Sequence, residues 1–146
     1  MPLPLLELLE DPPGDGAPLQ LMLWRGWLAE AAAVRAALLA EVPWRQESIT
    51  VWGQTHPQPR LTGWMADPGC AYRYSGLLNT PRPWSATAAH LRRLVETQAG
   101  CGFSSVLFNL YRDGRDRMGW HADDEPELDP AAPIASLSLG AARTFQ

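Results

Sequence analysis

Apolar and polar positions divide this chain into short periodic runs, punctuated by proline and glycine. Residues 1–20 mix prolines, glycines and acids and predict a loose arm. Residues 21–24 read as a short strand. Residues 28–41 are rich in Ala and Leu and predict a helix that must stop before Pro43, because a residue preceding proline is pushed out of the helical region. Leu28, Ala32, Leu38 and Leu39 are its expected apolar face. Residues 48–52 read as a strand ending at Gly53, and residues 54–60, with two prolines, as a loop. Residues 71–75 predict a strand with Tyr72 and Tyr74 on one face. Ser85 is placed to cap a helix running to about Ala99, with Gly100 as its stop. Leu91, Leu94, Val95 and Ala99 form that helix's expected buried stripe. Residues 103–111 predict a strand. Val106, Phe108 and Leu110 lie on one side of it, and Leu107, Asn109 and Tyr111 on the other. A polar loop follows over 112–117. Residues 134–139 predict another strand, and Arg143 opens a last one. No segment repeats.

Composition narrows the class. The 146 residues are one domain's worth of chain: residues 21–146 as a single domain behind the arm of 1–20. An apolar content of 46% suits a globular protein. No run of apolar residues is long enough to span a bilayer, and the acidic N-terminus is unlike a secretory signal. Cys70 and Cys101 lie in no metal or redox spacing, so two reduced thiols in a cytoplasmic monomer are expected.

The net charge of -4 is unevenly spread. Residues 1–47 hold three Arg and seven acids, residues 48–122 eight Arg and four acids, and residues 123–146 one Arg and five acids. Every basic residue is Arg, whose planar fork suits phosphate. The basic middle is the part that would face a nucleic acid.

The chemistry centres on His121 and Asp123. In extended backbone, residues two apart point the same way, so this pair can grip one ion. An imidazole and a carboxylate supply two of the three protein ligands of the non-haem Fe(II) facial triad. A bare His-x-Asp is equally a surface turn, and its context decides. That context is Asn109-x-Tyr111, Asp113-Gly114, Gly119-x-His121-x-Asp123-Asp124-Glu125 and Pro133-Ile-Ala-Ser-Leu-Ser-Leu-Gly140, followed by Arg143 and Phe145. Upstream stand Tyr72-Arg-Tyr74-Ser75-Gly76 and Pro81-Arg-Pro83-Trp84. In this order, over roughly residues 20 to 146, these pieces resemble the AlkB family of Fe(II)- and 2-oxoglutarate-dependent nucleic-acid dealkylases.

The resemblance implies an α+β fold in which a helix-and-strand lid for substrate recognition precedes a double-stranded β-helix, or jelly roll. It implies oxidative repair of N-alkylated bases in DNA, or RNA, with Fe(II), 2-oxoglutarate and O2. His121 and Asp123 would hold the metal, and Asn109 and Tyr111 the 2-oxoglutarate. Tyr74, with Tyr72 beside it, would stack on a base taken out of the helix, and Glu125 would meet that base's exocyclic edge. Trp52 stands where duplex-active members carry an aromatic wedge; the alternative is a core tryptophan. Arg60, Arg82 and Arg112 are candidate phosphate contacts. A second downstream histidine and two arginines complete the family's site. His56 and His90 precede the motif, so the resemblance implies the N-terminal part of a longer enzyme. Two rivals remain: a nucleic-acid-binding remnant without catalysis, and an oxygenase of the same fold acting on a protein or small molecule.

Overall fold

The computed structural model describes residues 5–9, 21–74, 77–121, 123, 126 and 128–144. Their elements are β1 (Leu5–Leu9), β2 (Leu21–Arg25), α1 (Ala31–Glu41), β3 (Ser48–Val51), β4 (Gln54–Pro57), β5 (Leu61–Ala66), β6 (Tyr72–Tyr74), β7 (Leu77–Asn79), α2 (Ala86–Ala99) and β8 (Ser105–Leu110). The strands pair antiparallel as β1–β2, β3–β4, β5–β8 and β6–β7. This is an α+β arrangement.

Local chemistry sets both helices. In α2 the Ser85 hydroxyl accepts from the Ala88 amide, satisfying one orphan N–H of the first turn. Gly100 closes the helix in the left-handed region at φ 71°, and its N–H donates to Glu96 O. Helix α1 has no side-chain cap. It ends at Val42, which is extended at ψ 128° because Pro43 follows. Of the expected face, Leu38 is buried and Leu28 packs against the core, whereas Ala32 and Leu39 are exposed and Val34, one turn before Leu38, is buried in their place.

The core lies between these helices and one face of the β5–β8 pair. Val34, Leu38, Val42, Met65, Ala88 and Leu91 are buried, and Trp44, Trp84, Val106, Phe108 and Leu139 pack around them. Gly63 of β5 lets the exit of α1 sit on the strand, since a Cβ there would overlap Val42 Cγ1. Burying an aliphatic side chain is worth about 1.5–3 kcal/mol, and helical ion pairs at a protein surface generally contribute much less. Packing therefore fixes the frame, and the polar contacts set its register. Chief among these is Asp67, just past β5. It accepts from Trp84 Nε1 at 2.9 Å and from both Arg92 terminal nitrogens at 2.6 and 3.1 Å, tying α2 to the sheet. Glu96 accepts from Arg92 Nε and from the Phe103 amide that leads into β8.

The structure departs from the predicted pattern at five places. Residues 5–9 are not a loose arm: they pair with β2 from Leu5↔Arg25 to Leu9↔Leu21, an apolar run that finds a partner despite its proline-rich setting. Residues 54–57 are a strand, because Thr55 and His56 pair with Thr50 and Ile49 and Pro57 falls at the strand's end, where proline is tolerated. Residues 61–66 form β5, which the pattern did not predict because Gly63 breaks the apolar alternation. Residues 134–139 alternate as a strand would, yet no described residue pairs with them; Ile134 is 67% exposed and only Leu139 reaches the core. Arg143 likewise opens no strand among the described residues.

Candidate metal centre

Strand β8 carries residues toward the centre. Val106, Phe108 and Leu110 turn partly inward, while Leu107 and Asn109 are exposed on the opposite face, as the alternation predicts. Asn109 stands across from Thr62. Tyr111 follows the strand's last residue and is half-buried.

The polar loop after Tyr111 closes on Asp116. This carboxylate accepts from the Arg112 amide at 2.9 Å, from Arg112 Nε at 2.7 Å and from Arg112 Nη2 at 2.9 Å. Only 6% of Asp116 is exposed. The Arg112 guanidinium hydrogen bond is the main cause that draws the Asp116 pKa down to about 2, with the Arg112 amide second. Arg112 itself is pushed up by the same pairing. Its fork is therefore spent on the loop. Arg143 joins from 30 residues away in the chain. Its Nη1 donates to Asp113 O at 3.1 Å, its Nη2 donates to Asp116 O, and its guanidinium carbon lies 4.3 Å from the centre of the Tyr111 ring.

His121 and Asp123 come together as their spacing predicts. His121 Nε2 lies 3.5 Å from Asp123 Oδ1, and both side chains are open to solvent. His121 Nδ1 lies 2.8 Å from Gly119 O. A carbonyl oxygen only accepts, so Nδ1 carries the proton and, in the neutral ring, Nε2 presents its lone pair to the carboxylate. The pair therefore sets an imidazole nitrogen beside a carboxylate oxygen, both open to solvent. Nitrogen plus carboxylate oxygen is a donor set that Fe(II) accepts, and a hydrogen-bonded distal nitrogen is the usual way a ligating imidazole is held. The two residues fit two of the metal's ligands. Among the described residues no group of three or more metal-binding side chains forms.

None of the other candidates makes a hydrogen bond or ion pair with His121 or Asp123 among the described residues. Trp52 is 98% exposed, which overturns the core reading. It sits at the tip of the β3–β4 hairpin, where Val51↔Gln54 closes a two-residue turn. Trp52 and Gly53 have φ of 53° and 74°, as a primed hairpin turn requires. Arg60, expected at the surface as a phosphate contact, is 4% exposed and donates its Nε to Gln58 Oε1 at 3.0 Å. Gln58 is itself 2% exposed, and its carbonyl accepts from Gln46 Nε2. The two residues form the hairpin's buried root. Arg82 is exposed. Tyr72 and Tyr74 lie in β6, opposite Asn79 and Leu77 of β7. Glu125 lies outside the described residues. His90 is a solvated residue of α2.

Two residues with a hold on the site were given no role by sequence reasoning. Asp116 was signalled by its i, i+4 spacing from Arg112. The contact of Arg143 with Tyr111 has no local signal.

The model of the 2OG-Fe(II) oxygenase superfamily matches residues 20–146. The alpha-ketoglutarate-dependent dioxygenase alkB homolog 3 of Rattus norvegicus is 42% identical over 120 residues, which is 82% of this chain and 40% of that protein. The corresponding human protein is 41% identical over 118 residues, 80% of this chain and 41% of its own length. The DNA oxidative demethylase ALKBH2 of Mus musculus is 44% identical over 97 residues, 66% of this chain and 41% of that protein. The chain thus spans about two fifths of the relatives it matches.

Proposed function

This chain belongs to the 2OG-Fe(II) oxygenase superfamily, in its AlkB branch, and from that premise we propose that it serves the oxidative dealkylation of N-alkylated bases in DNA. The observation that carries the reading is the His121–Asp123 pair, with Nε2 bared toward Oδ1 by the Nδ1 contact to Gly119. The names of the relatives support the substrate class: one is an alkB-type dioxygenase and another a DNA oxidative demethylase.

In this reading His121 and Asp123 hold Fe(II). When bound, the metal with O2 and 2-oxoglutarate supplies oxidation of an N-methyl group, which leaves as formaldehyde while 2-oxoglutarate becomes succinate and CO2. The rest is binding and orientation by the chain. Asn109 and Tyr111 offer an amide and a hydroxyl to the dicarboxylate from the outer side of β8. Tyr74 stacks on the displaced base with Tyr72 beside it, and Glu125 accepts from its exocyclic edge. Trp52, presented on a short hairpin with a buried root, enters the base stack. Arg82 meets phosphate. The outer face of β5–β8 would be one wall of the jelly roll, with the preceding helices and hairpins as the lid, all within a single domain over 21–146.

Cys70 and Cys101 are both free; a cytoplasmic monomer is part of the proposal. No helix among the described residues is long and apolar enough to cross a membrane.

The test is release of formaldehyde from N-methylated DNA and, in a parallel arm, RNA. The full-length protein carrying this segment should release it and its Asp123→Ala form should not, while the 146-residue segment alone, with two of the three metal ligands, should be inactive. Equal yields from the two full-length forms would remove the assignment.

A further inference from the structure

We propose that Arg143 is a positioning residue for Tyr111: it fixes the plane of the tyrosine ring, and with it the direction of the hydroxyl, before the cosubstrate arrives. The inference rests on the reading of Tyr111 as a 2-oxoglutarate contact and adds the group that orients it. Both Arg143 terminal nitrogens are engaged by backbone carbonyls, Nη1 by Asp113 O and Nη2 by Asp116 O. Those carbonyls belong to a loop that Arg112 and Asp116 already brace through three hydrogen bonds. The guanidinium is thus pinned along one edge, with its carbon over the Tyr111 ring at 4.3 Å from the ring centre. A half-buried tyrosine at a strand end is otherwise free to turn about two side-chain bonds, and a stacked cation removes that freedom. With both terminal nitrogens turned to loop carbonyls, Arg143 has occupied the edge that would fork a carboxylate. It acts through the ring and does not itself ligate the cosubstrate.

The plane, and not the charge alone, is what the geometry uses. Lysine at this position keeps the charge but cannot hold two carbonyls and stack at once. Two readouts separate the possibilities in the full-length protein. The first is the NMR signal of the Tyr111 ring in 13C-tyrosine-labelled protein, assigned by its loss in Tyr111→Phe. The second is 2-oxoglutarate affinity by calorimetry under anaerobic conditions, with Mn(II) in place of iron so that no turnover occurs.

Arg143→Ala and Arg143→Lys should each shift the Tyr111 ring signal and weaken 2-oxoglutarate by about tenfold, the low end of losing a group that supports a ligand contact. In a Tyr111→Phe background, Arg143→Ala should add less than about twofold, because the hydroxyl it orients is gone. Wild-type affinity in Arg143→Lys would show that charge suffices and overturn the proposal. An undiminished loss in the Tyr111→Phe background would overturn it too, since Arg143 would then act independently of the ring. If Tyr111→Phe itself binds 2-oxoglutarate like the wild type, the cosubstrate reading falls and takes the proposal with it, a result distinguishable because the ring signal would still shift in Arg143→Ala. Should Arg143→Ala fail to fold, the lysine variant alone carries the comparison.

Discussion

Trp52 and Gly63 make opposite demands on the chain. Trp52 touches nothing that folding requires: its side chain is almost wholly in solvent. Trp52→Ala should therefore leave the melting temperature nearly unchanged while weakening binding to a methylated duplex about tenfold. That figure lies within the range of about 1–3 kcal/mol that an aromatic face contributes per stacked base. Fluorescence anisotropy with a labelled duplex measures it, and unaltered affinity would discard the wedge reading. Gly63 is the converse. Adding a methyl group drives it into Val42 Cγ1 in the core, so Gly63→Ala should cost about 1–3 kcal/mol of stability, visible as a lower urea midpoint. At this scale the sequence is readable where chemistry is local. His121 and Asp123 are adjacent in the chain and meet as their spacing requires. The demand on Gly63 is set by a residue from another element, and nothing in the neighbouring residues signals it.

The elements follow the same division. Helix α2 was legible to the residue, because Ser85 and Gly100 are written at its ends and cap it as they stand. Strands were harder, since a strand exists only if a partner supplies its hydrogen bonds. The run 134–139 has the right alternation and no described partner, whereas β4 has a proline and a good partner. The loop between β8 and His121 is the element most exposed to acid. Asp116 has its pKa lowered to about 2 from an ordinary 3.8, so its stabilisation is fully present above pH 4 and is lost as the pH falls through 2. Asp116→Asn should remove that contribution. Its acid-unfolding profile should flatten relative to the wild type between pH 4 and 2, while the wild type keeps its slope. Circular dichroism against pH reads this directly, and parallel profiles would mean that the Arg112 pairing carries no linked proton.

For the whole molecule, the chemistry is more legible than the architecture. Ordered motifs point to the oxygenase family even though the partners of many strands cannot be inferred from local pattern. The long-range join of Arg143 to Tyr111 illustrates why: it depends on two loops meeting in space, which no spacing rule records. Among the described residues, Trp52 is the one non-glycine at positive φ. An L-residue held there gives up about 1–2 kcal/mol that glycine would keep, and asparagine much of it. Trp52→Asn should consequently raise the melting temperature by a few degrees, about 2–8 °C for each kcal/mol recovered, while abolishing the ring's contribution to duplex binding. Position 52 is thus where the demands of folding and those of the proposed duplex binding part company. In a saturation library sorted only for soluble expression, asparagine and glycine should rise there; sorted for survival of alkylation damage, the aromatics should.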